Sequence, residues 1–169
     1  MSVAEHKRNA PDHVSVMVIT ISDTRTEETD KSGKLIIGAL EENNHKVSSY
    51  RIVKDEADLI QQAVKTGASD RTIDAIILNG GTGIAKRDVT IEAISELLHK
   101  EIPGFGEIFR MLSYTEDIGS AAILSRALAG IYEDTAIFSI PGSSGAVKLA
   151  MSKLIIPEIN HIVREIRKD

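Results

Sequence analysis

The sequence has 169 residues, of which 42% are hydrophobic and 27% charged, as is typical of a globular domain. Its net charge of −5 argues against a broad nucleic-acid surface, and the absence of cysteine excludes disulfides, zinc–thiolate sites, iron–sulfur clusters and thiol nucleophiles. No apolar run approaches the roughly 20 residues that cross a bilayer, and the polar first residues lack the apolar core of a signal peptide. We therefore expect a cytoplasmic protein that binds neither nucleic acid nor membrane.

The order of predicted elements indicates an α/β protein. Residues 1–13 predict a flexible N-terminal arm, and residues 14–169 predict a single domain that begins with a buried strand at 14–22. Asp30 and Ser32 are candidate N-caps for a helix at 34–43. Further strands are expected at 47–53, 73–78 and 135–140, and helices at 58–66, 90–99, 119–129, 146–155 and from Pro157, with a glycine-rich connector at 101–107. This alternation predicts an α/β sandwich with a mostly parallel sheet.

The segment at 79–83, Asn-Gly-Gly-Thr-Gly, follows a predicted strand and precedes a predicted helix. Glycines let a backbone approach a ligand closely, and successive N–H groups can converge on phosphate oxygens. Lys86 and Arg87 would add positive charge there, and the carboxylate of Asp88 beside the same anion favours a bridging Mg²⁺ ion. The segment is therefore interpreted as a phosphate site, and the alternative is a tight surface turn with solvated charges.

Polar or glycine-rich residues follow four predicted strands, and ligands bind beyond the carboxyl ends of strands in such sheets. These strand ends carry Ser22 with Asp23, Asp55, residues 79–88 and residues 141–144. Asp55 and Asp88 could hold Mg²⁺ while loop amides and cations neutralise the charge that develops on a phosphate. Each aspartate alone could instead be a helix cap or a turn residue.

Three other well-known motifs are absent from the sequence. The segment at 79–83, called the glycine loop below, is not followed by the Lys-Ser/Thr pair of a Walker motif. Lys86 breaks the dinucleotide fingerprint, and no G-x-S-x-G elbow occurs. The five scattered histidines are interpreted as surface or helix-end residues: His6, His13, His45, His99 and His161. Nucleophilic and zinc catalysis are thus poorly supported, which leaves metal-assisted phosphate chemistry that needs no protein nucleophile.

Several motifs in order along the chain resemble one known family. They are Ser-Asp-Thr at 22–24, Asp-Lys-Ser-Gly at 30–33, Asn-Gly-Gly-Thr-Gly at 79–83, Arg-Asp-Val-Thr at 87–90, Pro-Gly-Phe-Gly-Glu at 103–107, Ala-Ile-Leu-Ser-Arg at 122–126 and Pro-Gly-Ser at 141–143. Together they resemble the molybdenum cofactor biosynthesis family MoaB/MogA. The short chain and the asparagine before the double glycine look closer to MoaB than to MogA.

The resemblance implies a three-layer α/β/α fold, assembly as a trimer or hexamer, and a specific reaction. That reaction is Mg²⁺- and ATP-dependent adenylylation of molybdopterin, with release of pyrophosphate and later metal insertion, for which a metal-insertion protein would be a partner. Asp55 and Asp88 match the family's catalytic, metal-binding aspartates. The nucleotide would contact Gly80, Gly81, Thr82, Gly83 and the cation Arg87, and the pterin would contact Ser22, Asp23, Pro141, Gly142 and Ser143.

The sequence departs from the family pattern at three places, and family membership does not by itself settle the activity. Lys54 and Ile91 stand where the family often has proline, and Ser144-Gly145 replaces a frequent Pro-x pair. One alternative is a paralogue that binds molybdopterin or a pathway protein without turnover, although retention of Asp55 and Asp88 favours an enzyme. A second alternative is a nucleotide or pyridine-nucleotide hydrolase, as in competence/damage-inducible proteins, which usually carry a second domain.

Overall fold

A six-stranded sheet carries the fold in the computed structural model, which describes residues 2–168. The strands are β1 (Ser15–Ile21), β2 (Lys46–Val53), β3 (Ala75–Asn79), β4 (Lys100–Glu101), β5 (Leu128–Tyr132) and β6 (Thr135–Ile140). The helices are α1 (Val3–Arg8), α2 (Lys31–Glu42), α3 (Ala57–Ser69), α4 (Thr90–Leu97), α5 (Pro103–Glu116), α6 (Ser144–Ala150) and α7 (Ile156–Ile166). A 3₁₀ helix spans Gly119–Leu124, and a π-helical segment at Met151–Ile155 joins α6 to α7.

The sheet has the strand order β2-β1-β3-β6-β5-β4. The pairs β2–β1, β1–β3 and β3–β6 are parallel, whereas β6–β5 and β5–β4 are antiparallel. The central strands β3 and β6 are buried along their whole length, as their continuous apolar sequences predict. The mostly parallel sheet is therefore confirmed, with an antiparallel edge that the sequence did not reveal.

Helices cover both faces of this sheet. One face packs against α2, α5, α6 and α7, whose core residues include Ile36, Phe109 and Ile159. The other face packs against α3 and α4 through Ile60 and Ile94. Successive β1 residues alternate between these two cores, because neighbouring side chains in a strand point to opposite faces. The result is the expected three-layer α/β/α sandwich.

Two predicted segments were wrong, and packing explains both. The expected connector at 101–107 contains the start of α5 at Pro103, because the ring of Phe105 is buried against Phe138 with centroids 5.5 Å apart. The expected helix at 119–129 is a 3₁₀ helix followed by β5, and Ile123 is 84% exposed rather than on a core face. A two-residue turn at Glu133 and Asp134 places β5 beside β6, so tertiary pairing overrides the helical spacing.

The N-terminal segment contains a short helix that the sequence did not indicate. Ser2 and Glu5 form a capping box at the start of α1. His6 and Lys7 pair with Glu165 and Glu158 on α7. The predicted mobility of residues 1–13 stays a prediction, to which the structure adds these contacts with α7. Across residues 2–168, no helix combines the length and apolar character needed to cross a membrane.

Candidate functional site

The carboxyl ends of β1, β3 and β6 open into one cavity of about 690 Å³. Its lining comes from the loops after these strands, from the end of β2 and from the 3₁₀ helix. The lining residues are Thr20, Ile21, Ser22, Asp23, Thr24, Arg25, Asp55, Asn79, Gly80, Gly81, Thr82, Gly83, Ala85, Arg87, Asp88, Ile118, Ala121, Leu124, Ser125, Pro141 and Gly142. The predicted convergence of four strand ends is thereby confirmed.

The glycine loop makes a sharp turn directly after β3, and its residues line this cavity. Gly80 and Gly81 adopt φ values of +99° and +67°, which side-chain-bearing residues rarely adopt. A Cβ atom on Gly80 would lie 2.4 Å from the carbonyl oxygen of Ile21, and one on Gly81 would lie 2.2 Å from Oγ1 of Thr90. The loop therefore requires glycine at both positions, for conformation and for space.

Arg126 fixes the second half of the loop from behind. Its Nε donates to the carbonyl of Thr82 at 2.9 Å, and its Nη2 donates to the carbonyl of Gly83 at 2.6 Å. Glu92 on α4 pairs with the same guanidinium. In the sequence, Arg126 is distinguished only as the last residue of the 122–126 motif. Because Arg126 and Thr82 are more than forty residues apart in the chain, no local sequence pattern indicates that Arg126 holds the glycine loop in place.

Three carboxylates gather at the rim of the cavity: Asp23, Asp55 and Asp88. The backbone N–H of Asp55 donates to Oδ1 of Asp23 at 3.1 Å, and Oδ2 of Asp88 accepts from the N–H of Ala85 at 3.0 Å. Burial raises the pKa of Asp55, and the negative charges of Asp23 and Asp88 raise it further. The fold therefore holds like charges close together, an arrangement that a bound cation would stabilise.

Both predicted catalytic aspartates touch the glycine loop. A Cβ atom on Gly81 would lie 2.9 Å from Oδ1 of Asp55, and one on Gly83 would lie 2.5 Å from Oδ2 of Asp88. In the described chain the three carboxylates do not place one oxygen each within 4.8 Å of one another, which leaves Asp55 and Asp88, the two that touch the glycine loop, as the candidate pair for an ion. That donor set fits Mg²⁺, which usually takes one or two carboxylates together with substrate phosphates and water.

The two predicted cations that follow the glycine loop differ in their position relative to the cavity. Arg87 lines the cavity and makes an ion pair with Asp23, donating from Nε at 2.8 Å and from Nη2. The Arg87 hydrogen bonds hold the pKa of Asp23 below its usual range. Lys86 is exposed and lies outside the cavity lining. Of these two predicted cations, Arg87 is therefore the one in a position to act at this site.

A buried polar network forms the floor. Asn79, 1% exposed, donates from Nδ2 to Oγ1 of Thr20 at 2.9 Å, and Thr20 donates to Oδ2 of Asp30 at 2.6 Å. Tyr50 also donates to Asp30, and burial together with this carboxylate raises the pKa of Tyr50. Among residues 2–168, neither Oδ1 of Asn79 nor Oγ1 of Thr90 has a hydrogen-bond partner. Asn79 and Thr20 both line the cavity, and sequence reasoning had assigned neither a role.

The residues predicted to contact a pterin divide into two groups. Ser22, Asp23, Pro141 and Gly142 line the cavity, and the carbonyl of Gly142 accepts a hydrogen bond from Ser32. Ser143 lies outside the lining, because its Oγ caps α6 by accepting from the N–H of Ala146 at 3.3 Å. The position of the first group is thus known, and all the binding roles stay predictions.

Comparison with known proteins gives consistent matches over nearly the whole chain. A family described as "Probable molybdopterin binding domain" matches residues 17–161. Molybdenum cofactor biosynthesis protein B of Bacillus subtilis (strain 168) is 70% identical over 169 residues, which cover 100% of this chain and 99% of that protein.

Solved structures agree with the sequence comparison. A crystal structure of molybdenum cofactor biosynthesis protein B matches with a TM-score of 0.92 and 60% identity, over 95% of this chain and 100% of that one. The tungsten cofactor synthesizing protein MoaB from Pyrococcus furiosus matches with a TM-score of 0.83 and 39% identity, over 94% of this chain and 99% of that one. The resemblance drawn from the sequence motifs is confirmed, and the chain belongs to the MoaB/MogA family of molybdenum cofactor biosynthesis proteins.

Proposed function

We propose that this protein adenylylates molybdopterin with Mg²⁺ and ATP and releases pyrophosphate. The observation that carries the proposal is that Asp55 and Asp88 both touch the glycine loop at the rim of one cavity. A carboxylate pair beside a backbone turn of this kind matches what a metal-bound triphosphate requires. Family membership supplies the substrate class, since the matching domain is described as molybdopterin binding.

The glycine loop and Arg87 bind the nucleotide in this proposal. Backbone N–H groups between Gly80 and Gly83 contact phosphate oxygens, because no side chain at the glycines blocks the approach. Arg87 is 67% exposed and tied to Asp23 by an ion pair, so it can exchange this partner for a phosphate at small cost. Such an exchange also frees the Asp23 carboxylate at the moment when the nucleotide binds.

Asp55 and Asp88 hold Mg²⁺. The ion, when bound, supplies charge neutralisation on the phosphates and polarises the phosphorus for attack. The chain's own contribution is electrostatic, because the fold already holds these carboxylates close together before a ligand binds. Their mutual repulsion destabilises the ligand-free protein. This preorganisation favours the bound state, since no further charge has to be gathered during the reaction.

The reaction needs no nucleophile from the protein. An oxygen of the terminal phosphate of molybdopterin attacks the α-phosphorus of ATP, the bond from that phosphorus to the bridging oxygen breaks, and pyrophosphate leaves. Adenylyl-molybdopterin would then pass to a metal-insertion protein. The cavity lining accordingly contains polar groups, glycines and charges rather than a nucleophile with an adjacent base.

The polar floor binds the pterin in this proposal. A pterin ring presents N–H donors, and Oδ1 of Asn79 is a buried acceptor without a partner among residues 2–168. A buried acceptor without a partner destabilises the ligand-free protein, so a ligand N–H that bonds to it contributes more to the binding free energy than an exposed hydrogen bond would. Ser22, Pro141 and Gly142 complete this side of the cavity. A cytoplasmic location is part of the proposal, because ATP is the co-substrate.

A homo-oligomer, trimer or hexamer, is also proposed. On α5, Ile108, Met111 and Tyr114 share one face and are 44%, 57% and 61% exposed. Ile118 and Leu124 continue this apolar surface to the rim of the cavity and are 47% and 53% exposed. Exposed apolar side chains grouped in this way are typical of a protein interface, and a second copy seated there would border the cavity.

The decisive experiment measures pyrophosphate release from Mg-ATP with and without freshly prepared molybdopterin. Wild type is compared with Asp88→Asn and with Asp134→Asn, a control in the turn at the opposite end of β6. Release that requires molybdopterin, persists in the control and falls at least about 100-fold in Asp88→Asn supports the proposal. Molybdopterin binding without release would identify a non-catalytic paralogue, and release without molybdopterin would identify a nucleotide hydrolase.

A further inference from the structure

Two histidines and a glutamate meet where α1 crosses α7, away from the cavity. His6 belongs to α1, and His161 and Glu165 belong to α7. Each residue offers a ligand atom, and these atoms all lie within 4.8 Å of one another. His6 and His161 are distant in sequence, so the scattered histidines gave no indication of this cluster.

The geometry of α7 places two of these side chains next to each other, and the docking of α1 adds the third. His161 and Glu165 are four positions apart and therefore share one face of α7. Oε1 of Glu165 lies 2.7 Å from Nδ1 of His6 and 3.9 Å from Nε2 of His161. The two imidazole rings meet edge to face with centroids 5.8 Å apart, which leaves both rings beside the same carboxylate.

A second carboxylate orients His161 independently. Glu158 lies 3.1 Å from Nδ1 of His161 through Oε2, one turn before it on α7. When this nitrogen carries the proton, Nε2 keeps its lone pair and faces Glu165. Metal-binding histidines usually donate their other ring N–H to a carboxylate in this manner, which fixes the tautomer and the ring orientation.

We propose that His6, His161 and Glu165 bind a divalent transition-metal ion of the zinc class. Imidazole nitrogens and a carboxylate oxygen are the donor set that Zn²⁺ prefers in cysteine-free sites, and water completes a tetrahedral shell. Mg²⁺, which prefers oxygen ligands, is not expected to bind here. The site is therefore chemically distinct from the carboxylate pair in the cavity.

The surrounding cations set the affinity in a moderate range. Arg164 and Lys168 both contact Glu165, and Lys7 contacts Glu158. Metal binding has to displace or outweigh the Arg164 and Lys168 contacts with the ligating carboxylate. A dissociation constant in the micromolar range is consequently expected rather than the much tighter binding of closed structural zinc sites.

The ion would clasp α1 to the domain. α1 has six residues, none of them buried, and an isolated helix of this length is unstable in water. Its side chains contact α7 through the His6–Glu165 and Lys7–Glu158 pairs and through the edge-to-face packing of His6 on His161. A metal that cross-links His6 to two α7 residues would order this helix, so occupancy of the site would control the N-terminal segment.

The test uses the untagged, metal-free full chain titrated with ZnCl₂ by calorimetry in excess Mg²⁺, which saturates the cavity carboxylates. Wild type is compared with His6→Gln, His161→Gln and the control His99→Gln, which also has a glutamate neighbour. We expect one Zn²⁺ per chain, at least about tenfold weaker binding in each cluster variant and no change in the control. Absence of wild-type binding at millimolar Zn²⁺, or equal affinity in all variants, would overturn the proposal.

Hydrogen exchange at residues 3–8 supplies a second readout. Zn²⁺ is expected to slow exchange in wild type and in His99→Gln, but not in His6→Gln, because only the former pair keeps the cross-link. Glu158→Gln should weaken Zn²⁺ binding by about tenfold while leaving all three ligands present. If Zn²⁺ binds yet leaves exchange at α1 unchanged in wild type, the clasp is wrong.

Discussion

The side chain of Arg126 binds the main chain of Thr82, with Nε donating to the Thr82 carbonyl oxygen at 2.9 Å. The same guanidinium reaches the carbonyl of Gly83, so one side chain fixes two consecutive peptide units of the glycine loop. A loop rich in glycine loses much conformational entropy when it is ordered. The clamp offsets part of that loss in the folded protein before a nucleotide binds.

Replacing Arg126 with lysine is expected to loosen the loop without removing the positive charge. Lysine cannot reproduce the planar fork that reaches two carbonyls, so at least one charge-assisted hydrogen bond is lost, at about 1.5–3 kcal/mol of unfolding free energy. Urea unfolding gives the stability change, and ATP titration gives the nucleotide affinity, which should also fall. Glu92→Gln is the control, because it leaves both bonds from Arg126 to the loop intact. Wild-type values in Arg126→Lys would rule out the clamp.

Arg87→Ala is expected to weaken nucleotide binding more than it weakens folding. The Arg87–Asp23 pair is well exposed, and solvent-screened pairs of this kind contribute little to stability. Without the guanidinium, the bound nucleotide loses a charge-assisted phosphate interaction, so ATP affinity should fall by about tenfold or more. Lys86→Ala, which removes a neighbouring charge outside the cavity lining, is the matched control. Equal ATP affinity in Arg87→Ala and Lys86→Ala would contradict the assigned role.

Local patterns in the sequence were sufficient for the central strands and for the glycine loop. The continuous apolar run of β3 is buried at every position, and Gly80 and Gly81 adopt the left-handed conformation that a sharp turn needs. The rule that strand ends share one edge then brought Asp55 and Asp88 to the cavity. These features depend on neighbours in sequence or on topology, which is why they could be predicted.

Contacts between distant segments could not be predicted in this way. β5 is a weak strand by composition, and it forms because the turn at Glu133 returns the chain beside β6. Asn79 looked like the end of a strand, yet its bond to Thr20 builds the cavity floor. The meeting of His6 with His161 likewise depends on the docking of α1. Each of these needs the tertiary structure before its chemistry can be recognised.

Asp55→Asn is expected to stabilise the protein at neutral pH. The pKa of Asp55 is raised in the fold by burial and by the charges of Asp23 and Asp88, so its ionisation costs the folded state more than the unfolded one. Wild type therefore loses stability as the pH rises from the unfolded value of about 3.9 through the folded pKa. Thermal unfolding at pH 7 should show a melting temperature raised by up to about 2–4 °C in the variant.

Two controls test the cause of this shift. The difference between wild type and Asp55→Asn should shrink as the pH falls below about 4, where both chains are neutral at this position. Mg²⁺ should stabilise wild type more than Asp55→Asn, because the ion relieves the repulsion that the variant has already lost. A variant less stable than wild type at pH 7 would show that the Asp55 charge is already compensated in the fold.

Asp30→Asn is expected to destabilise the fold strongly. Burial alone would raise the pKa of Asp30, but hydrogen bonds from Thr20, Tyr50 and the Gly33 N–H outweigh it and hold the pKa below its usual range. Asparagine replaces one carboxylate oxygen, which accepts hydrogen bonds, with an NH₂ group that would face other hydrogen-bond donors. We expect this to lower the free energy of unfolding by about 2–4 kcal/mol. Since the folded pKa is lowered, the wild-type advantage should be complete above about pH 4 and disappear as the pH falls through the folded pKa.

Urea unfolding from pH 7 to pH 2 measures this dependence. Asp70→Asn is the control, since Asp70 also accepts hydrogen bonds, from Thr72, but lies on the surface. Its loss of stability should be much smaller. Equal losses in the two variants, or a pH-independent deficit in Asp30→Asn, would mean that the buried network does not depend on the ionised carboxylate.

Met111→Glu is expected to dissociate the proposed oligomer. Met111 lies between Ile108 and Tyr114 on the exposed face of α5, so a charge there would be buried without a partner in any interface that uses this face. Sedimentation velocity should show an oligomer for wild type and a monomer for Met111→Glu. Leu59→Glu, at an exposed apolar position on α3 across the sheet, is the control and should keep the wild-type mass. A monomeric wild type would refute the oligomer, and an unchanged mass in Met111→Glu would assign the interface to another face.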